Sequence, residues 1–370
     1  MSYFGTRNWY LPSEVAIVGT EDGTTVDIVP TQDVDAEKPA DRIFSITLDR
    51  NEVYQFSTRY DFTGTYVKAS APVAVMSGVV CADVPDADQR VGWCDHLSEM
   101  MVPLSGWGKS YLTVPLASRL NGDVVRVLAS ENNTEVRVNG IVVDTLNRGE
   151  YYEGVIENRA HISATEPVMV SQYATGQGFD NVGADPFMAV IPPNEQFLSD
   201  YSFTTPATGF VRNYINVTIP SGSALDSLTL DGAPVDPALF SEIGFSGYVG
   251  AQIPVTVGSH RIAAAEPFGL LVYGFNSYDS YGYPGGMALA DINTTTDPFA
   301  PNISEFKHIG YTFRGGVTDS EDVNANNILD AGEDLNGNGI IDGRTEDVNG
   351  NGVLDAGEDL NGNGLSLIHI

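Results

Sequence analysis

Oxygen-bearing side chains recur at fixed spacing between positions 322 and 364. The first run is Asp322, Asn324, Asn326, Ile328, Asp330 and Glu333, and the second begins at once with Asp334, Asn336, Asn338, Ile340 and Asp342. The third is Asp347, Asn349, Asn351, Val353, Asp355 and Glu358, and it leads into Asp359, Asn361 and Asn363 of a fourth. A calcium loop takes side-chain oxygens at positions 1, 3 and 5, a backbone carbonyl at 7 and a ligand, often through water, at 9. It closes with a bidentate Glu at 12 and turns sharply on a Gly at 6. The third run meets every requirement, with Gly352 at the turn. The first has Asn327 there, which tolerates left-handed φ. The second carries Thr345 at its closing position and Glu346 one residue beyond, so its bidentate ligand is out of place. Calcium is the cofactor this pattern asks for. Without it the carboxylates repel one another, and Leu329, Ile341 and Leu354 supply only a thin apolar core.

The elements around these loops set what the metal could do. Asp334 follows Glu333 directly, so no helix fits between loops. That departs from an EF-hand pair and from dockerin modules, which need an amphipathic helix after each loop, and it leaves a cohesin partner as a minor reading. The run resembles bacterial thrombospondin type 3 calcium repeats without their cysteines. The resemblance implies a spacer stiffened by calcium.

The rest of the chain needs a separate account. Of the net charge of −31, residues 319–364 carry −11, from 12 acids and Arg344. The remainder is still acidic, which disfavours nucleic-acid or anionic-membrane partners because both need basic surface. Apolar residues at 42% permit sizeable cores, and no apolar run is long enough to span a bilayer. The start has no charged and apolar leader. It reads as a fragment of a larger parent polypeptide with Met1 an internal methionine. Residues 365–370 break abruptly into the repeat and read as a sequencing artefact.

Short β-rich runs dominate before residue 300: 15–18, 25–28, 43–48, 66–68, 73–76, 124–128, 135–138, 141–143, 168–173, 215–219, 228–230, 254–257 and 270–275. Asp22-Gly23, Asn121-Gly122, Asn139-Gly140 and Asp231-Gly232 punctuate them. No long stretch has helical periodicity, and 97–102 is expected to form one helical turn. A repeat is visible around Pro72, Pro167 and Pro267, each between a strand and a buried apolar strand. Proline suits a corner there because it cannot donate to a central ladder. A second repeated block puts an aromatic and a Tyr-led strand after a Pro turn, near Trp107 and Tyr111 and again near Phe197 and Tyr201. The expected fold is all-β: tandem antiparallel β-sandwich modules over 1–107, 108–197 and 198–299, a linker over 300–321, and the irregular calcium repeat over 322–364.

Cys81 and Cys94 have no C-x-x-C spacing and no histidine cluster to make a zinc site. A local disulfide is the main reading, with two separate buried thiols as the alternative. The blocks Val79-Val-Cys-Ala-Asp-Val-Pro85, Cys94-Asp-His-Leu-Ser-Glu-Met-Met-Val-Pro103 and Gly106-Trp-Gly-Lys-Ser-Tyr111 resemble the IgGFc-binding protein N-terminal domain family. So do residues 19–28 and 63–75, and the likeness covers about 10–290. It implies a non-enzymatic domain of secreted or surface proteins, with the cysteines disulfide-bonded. It carries no ligand-contact residues over to this chain.

Catalytic signatures are weak. There is no H-E-x-x-H, G-x-S-x-G, Walker A or dinucleotide fingerprint. His96 beside Asp95 is the one suggestive histidine, and a structural role is favoured over a general base. The tyrosine-rich stretch 273–283 could stack sugars, but an edge strand and turn is the favoured reading. No catalytic residue is assigned. Asn132, Asn216, Asn293 and Asn302 open glycosylation acceptor patterns, which matter only in a eukaryote, and the Asp/Asn repeats look bacterial. The expected function is a non-enzymatic extracellular or cell-surface binding or adhesion protein. Its partner is an unknown protein or glycan, and antibody binding is not expected to bear on this chain. The alternatives are a secreted hydrolase or carbohydrate-binding component, and a self-associating matrix component.

Overall fold

Strand-forming runs joined by Asn-Gly and Asp-Gly pairs favour tight antiparallel hairpins. The computed structural model describes Met1, residues 11–85 and residues 94–293, and every strand pairing among them is antiparallel. Asn139 and Gly140 both take positive φ (51° and 82°), as do Asp231 and Gly232 (52° and 79°), which is the geometry of the tightest hairpin turns. The described residues fall in one unit, Met1–Thr295. The unit Thr296–Ile370 lies outside them, and so do all the calcium-loop residues.

The strands form three groups. The first holds β1 (Ser13–Gly19), β2 (Thr24–Val29), β3 (Phe44–Leu48), β4 (Val53–Thr58), β5 (Tyr66–Ala69), β6 (Val73–Ala82) and β7 (Asp95–Met100). They make two sheets, β4-β1-β6-β7 and β3-β2-β5. Val15, Ile17 and Phe56 of one meet Val26, Ile28 and Leu48 of the other.

The second group holds β8 (Gly108–Thr113), β9 (Asp123–Ala129), β10 (Thr134–Val138), β11 (Ile141–Leu146), β12 (Tyr151–Ile156), β13 (Ala160–Tyr173) and β14 (Met188–Ile191). The third holds β15 (Leu198–Thr204), β16 (Arg212–Pro220), β17 (Thr229–Leu230), β18 (Ala233–Pro234), β19 (Ser241–Glu242), β20 (Tyr248–Val255), β21 (Ser259–Asn276) and β22 (Asp279–Pro284).

One device organises the second and third groups. A single long strand carries two successive sets of partners, within a sheet of seven strands in the second group and eight in the third. The first half of β13 pairs with β8 and β10, and its second half with β9 and β14. β21 does the same with β15 and β17, then β16 and β22. The ladder with β8 jumps from Ser163 to Val168 across Pro167, and the ladder with β15 jumps from Ala263 to Phe268 across Pro267. In the first group the strand is interrupted, with Pro72 between β5 and β6. The proline corner expected from the repeat is therefore where the long strand exchanges one set of ladder partners for another.

A tyrosine closes each unbroken corner. Tyr111 donates its hydroxyl to the Val168 carbonyl and accepts from the Gly108 N–H at 3.0 Å. Tyr201 donates to the Phe268 carbonyl and accepts from the Leu198 N–H at 2.9 Å. Each carbonyl belongs to the residue just after the corner proline. Gly108 is required where it stands, because a Cβ there would lie 2.4 Å from the Pro193 Cβ.

The segment 97–102 corrects the sequence reading. It contributes to β7, paired with β6 from Met76↔Met100 to Ala82↔Asp95, and not to a helical turn. Its residues have modest strand preference, and pairing decides their conformation. Tyr111→Phe or Tyr201→Phe leaves a buried carbonyl and a buried N–H short of a partner. Each is expected to cost about 1–3 kcal/mol, read as a lower urea midpoint at unchanged slope.

Candidate functional site

Ionisable side chains buried in a β-protein must find partners or lose their charge. β9 reads Asp-Val-Val-Arg-Val-Leu-Ala, and all seven residues are buried. Val125, Val127 and Ala129 face the sandwich core. Val124 and Leu128 face the opposite way, against Val79, Ala82, Leu97 and Trp107 of the first group and its exit. Arg126 shares that second face. Its guanidinium lies 2.6 Å from Asp61, on the β4–β5 connection, and 2.6 Å from Glu153 of β12. It sits 4.4 Å over the Tyr151 ring. Burial alone would raise the Asp61 pKa, but Arg126 and the Thr63 hydrogen bonds hold it below the usual value.

A second buried pair lies in the second group, beside the third. Arg119 and Asp180 are 2.6 Å apart with no side-chain exposure, and the guanidinium faces the Phe275 ring at 5.7 Å. Phe187 packs near Tyr273 and Phe275, with centroids 6.2 and 5.9 Å apart. The Tyr273 hydroxyl donates to Asn216 and accepts from the Ala117 N–H. Neither ion pair was read from the sequence. A lone Arg in an otherwise apolar strand was the available signal for Arg126. Its partner, 65 positions away, left none.

Three carboxyls are pushed up. Burial raises Asp123 to about 7, although its Oδ2 accepts from Leu116 N–H and Gln172 Nε2. Burial raises Glu99 to about 7. Asp185 rises to about 6 through burial and the charges of Asp95 and Asp279. The disulfide is present: Cys81 at the end of β6 is bonded to Cys94 just before β7, with Cα atoms 5.2 Å apart. It ties the two ends of the segment between these strands.

An open recess of about 560 Å³ lies on the third group, lined by Ser202, Phe203, Thr204, Asp231, Ser259, His260 and Arg261. Its charged groups are committed internally. His260 places Nδ1 2.7 Å from Asp231 and Nε2 2.9 Å from the Thr256 carbonyl. Two acceptors suit the imidazolium. Burial lowers the His260 pKa, but the Asp231 bond outweighs it and the net shift is upward. Thr204 and Ser259 bond each other at 3.0 Å, and Arg261 binds Asp200.

The other sequence candidates resolve as follows. His96 is exposed and touches Asp95 at 3.0 Å. The stretch 273–283 forms the end of β21, a turn and β22, as the favoured reading had it. Tyr281 bonds Asn213 and Tyr283 bonds Thr204. Among the described residues no group of three His, Cys, Asp or Glu side chains is placed to hold a metal ion.

Two measurements follow from the buried charges. Arg126→Leu leaves Asp61 buried without its cation and is expected to cost about 3–5 kcal/mol, seen in urea melts at pH 7. Asp123 ionises near 3.8 unfolded and about 7 folded, so the native chain holds more protons between these values. Its contribution is present below about pH 4 and lost as pH rises through about 7. Asp123→Asn, which keeps both accepted hydrogen bonds, is expected to flatten the pH dependence of stability across that window by on the order of 4 kcal/mol.

Residues 1–274 match the family described as IgGFc binding protein. The human IgGFc-binding protein is 28% identical over 246 residues, which is 64% of this chain and 4% of that relative. The chain thus spans only a small part of the relative's length. No solved structure matches. The family match takes in the three corner prolines, the disulfide and both buried arginine pairs, and on that match the chain belongs to the IgGFc-binding protein family.

Proposed function

We propose that this chain is part of a non-enzymatic extracellular or cell-surface binding or adhesion protein. Three β-modules, 1–107, 108–197 and 198–299, present the recognition surface. A linker over 300–321 joins them to a calcium-stiffened spacer over 322–364. The family match over residues 1–274 carries this reading. The Cys81–Cys94 disulfide supports an oxidising compartment. The internal commitment of His260, Asp231 and Arg261 supports binding over turnover, because the recess offers contour and hydroxyl groups without a spare base.

The spacer rests on ligand spacing. Asp322, Asn324, Asn326, Asp330 and Glu333 would hold one ion with the Ile328 carbonyl. Asp347, Asn349, Asn351, Asp355 and Glu358 would hold another with the Val353 carbonyl. Calcium would neutralise carboxylates that otherwise repel and turn a loose tether into a stalk.

Calorimetric titration of the full chain is expected to show about two or three ions bound, one per loop able to close, with greater protease resistance of the acidic segment that a chelator reverses. No heat at millimolar calcium would leave a plain acidic linker. The binding reading is tested by screening the chain against glycan arrays and immobilised extracellular proteins, the immunoglobulin Fc among them, alongside glycoside and peptide substrates. Saturable binding without turnover is expected. Turnover would replace this reading with a secreted hydrolase.

A further inference from the structure

His260 cannot satisfy its surroundings as a neutral ring. Its Nδ1 lies 2.7 Å from Asp231 Oδ2, and its Nε2 lies 2.9 Å from the Thr256 carbonyl. A carboxylate and a carbonyl only accept. Both ring nitrogens must therefore donate, and only the imidazolium carries two N–H groups. The side chain is 7% exposed, so water is a poor substitute for a lost partner. Phe203 of β15 stacks on the ring at 5.2 Å between centroids. Asp231 is the charged group that acts on it. Arg261, next along β21, is taken by Asp200 of β15, with Nε 2.9 Å from the carboxylate.

The ring ties together two turns beside the recess. Asp231 sits in the β17–β18 turn, and its Oδ1 accepts from the Arg261 N–H at 2.9 Å. Thr256 lies in the turn between β20 and β21. There the Thr205 hydroxyl donates to the Thr256 carbonyl at 3.1 Å and accepts from the Gly258 N–H at 2.9 Å. The Thr205 N–H donates to the Gly258 carbonyl at 3.0 Å. Thr204 and Ser259, which line the recess, flank these bonds. A partner for the neutral ring lies close by. The Thr256 hydroxyl is 3.5 Å from Nε2, and a hydroxyl, unlike a carbonyl, can donate to it. The turn thus offers one arrangement for each charge of the ring.

We propose that His260 is a pH-operated latch on the recess. As an imidazolium it ties the β17–β18 turn to the β20–β21 turn. As a neutral ring it releases the Thr256 carbonyl and loosens the wall that carries Thr204 and Ser259. This goes beyond the ligand-binding reading and does not depend on it. The sign follows from linkage. A ring freed from its partners ionises near the ordinary value of about 6.5. Burial lowers the value of the latched ring, but the Asp231 and Thr256 bonds outweigh it and hold the ring above the ordinary value. The latch is therefore at full strength below about pH 6.5 and is lost as pH rises through the raised value.

The test is NMR of the full chain with isotope-labelled histidine, from about pH 5 to about pH 9. The His260 signals are those that His260→Gln removes. They are expected to show both nitrogens protonated at the acid end and a midpoint above the ordinary histidine value. Hydrogen exchange at the Thr205 and Gly258 amides, corrected for the intrinsic effect of pH, is expected to lose protection at least about tenfold through the same midpoint. Asp231→Asn removes the charge that favours the imidazolium and is expected to move both midpoints down. Thr256→Val, at an exposed position, removes the hydroxyl that receives the neutral ring and is expected to move both up. Loss of protection driven by the buried carboxyls would stay where it was in both variants. A His260 midpoint at or below the ordinary value, titration without a change in protection at Thr205 and Gly258, or a protection midpoint that neither variant moves would each overturn the proposal.

Discussion

A strand that serves two successive sets of ladders is the constraint on which the rest of this molecule depends. β13 and β21 must leave one ladder and enter another without stranding a backbone group. Proline at the turning point contributes no N–H that would need a partner. The carbonyl that follows is taken by a tyrosine from the strand that opens the same group. That tyrosine also accepts an N–H from its own strand. Two strands are thus tied together by one side chain at each corner.

The outward faces of the second sheets then have to be covered. β1 alternates buried and half-buried residues, whereas β9 is buried on both sides. The difference is the neighbouring group. Burying β9 twice brings Arg126 out of water, and Asp61 and Glu153 answer its charge. The stability of such a pair depends on keeping both members. Its placement serves specificity, since only one docking of the first group on the second brings Asp61 to Arg126.

Much of this was legible in the sequence. Asn139-Gly140 and Asp231-Gly232 announced hairpins because their backbone needs are local. The corner prolines were legible because they recur with the same flanking residues. The disulfide was favoured from composition, and the family resemblance rested on Cys81, Cys94 and Trp107, which the structure places at the first joint. β7 was misread because Asp95, His96, Ser98 and Glu99 have little strand preference, and only the ladder with β6 makes them one. The ion pairs were illegible because Arg126 meets Asp61, and Arg119 meets Asp180, across about sixty residues. The calcium loops rest on spacing alone and lie outside the described residues.

Two joints of this kind should make the β-groups fold as one body and not as three beads. Differential scanning calorimetry of the full chain tests this most directly. The account predicts one dominant transition for the β-region, with a calorimetric enthalpy equal to the van't Hoff enthalpy. Three separate transitions, each with the enthalpy of about 100 residues, would contradict it and would reduce the buried arginine pairs to local contacts.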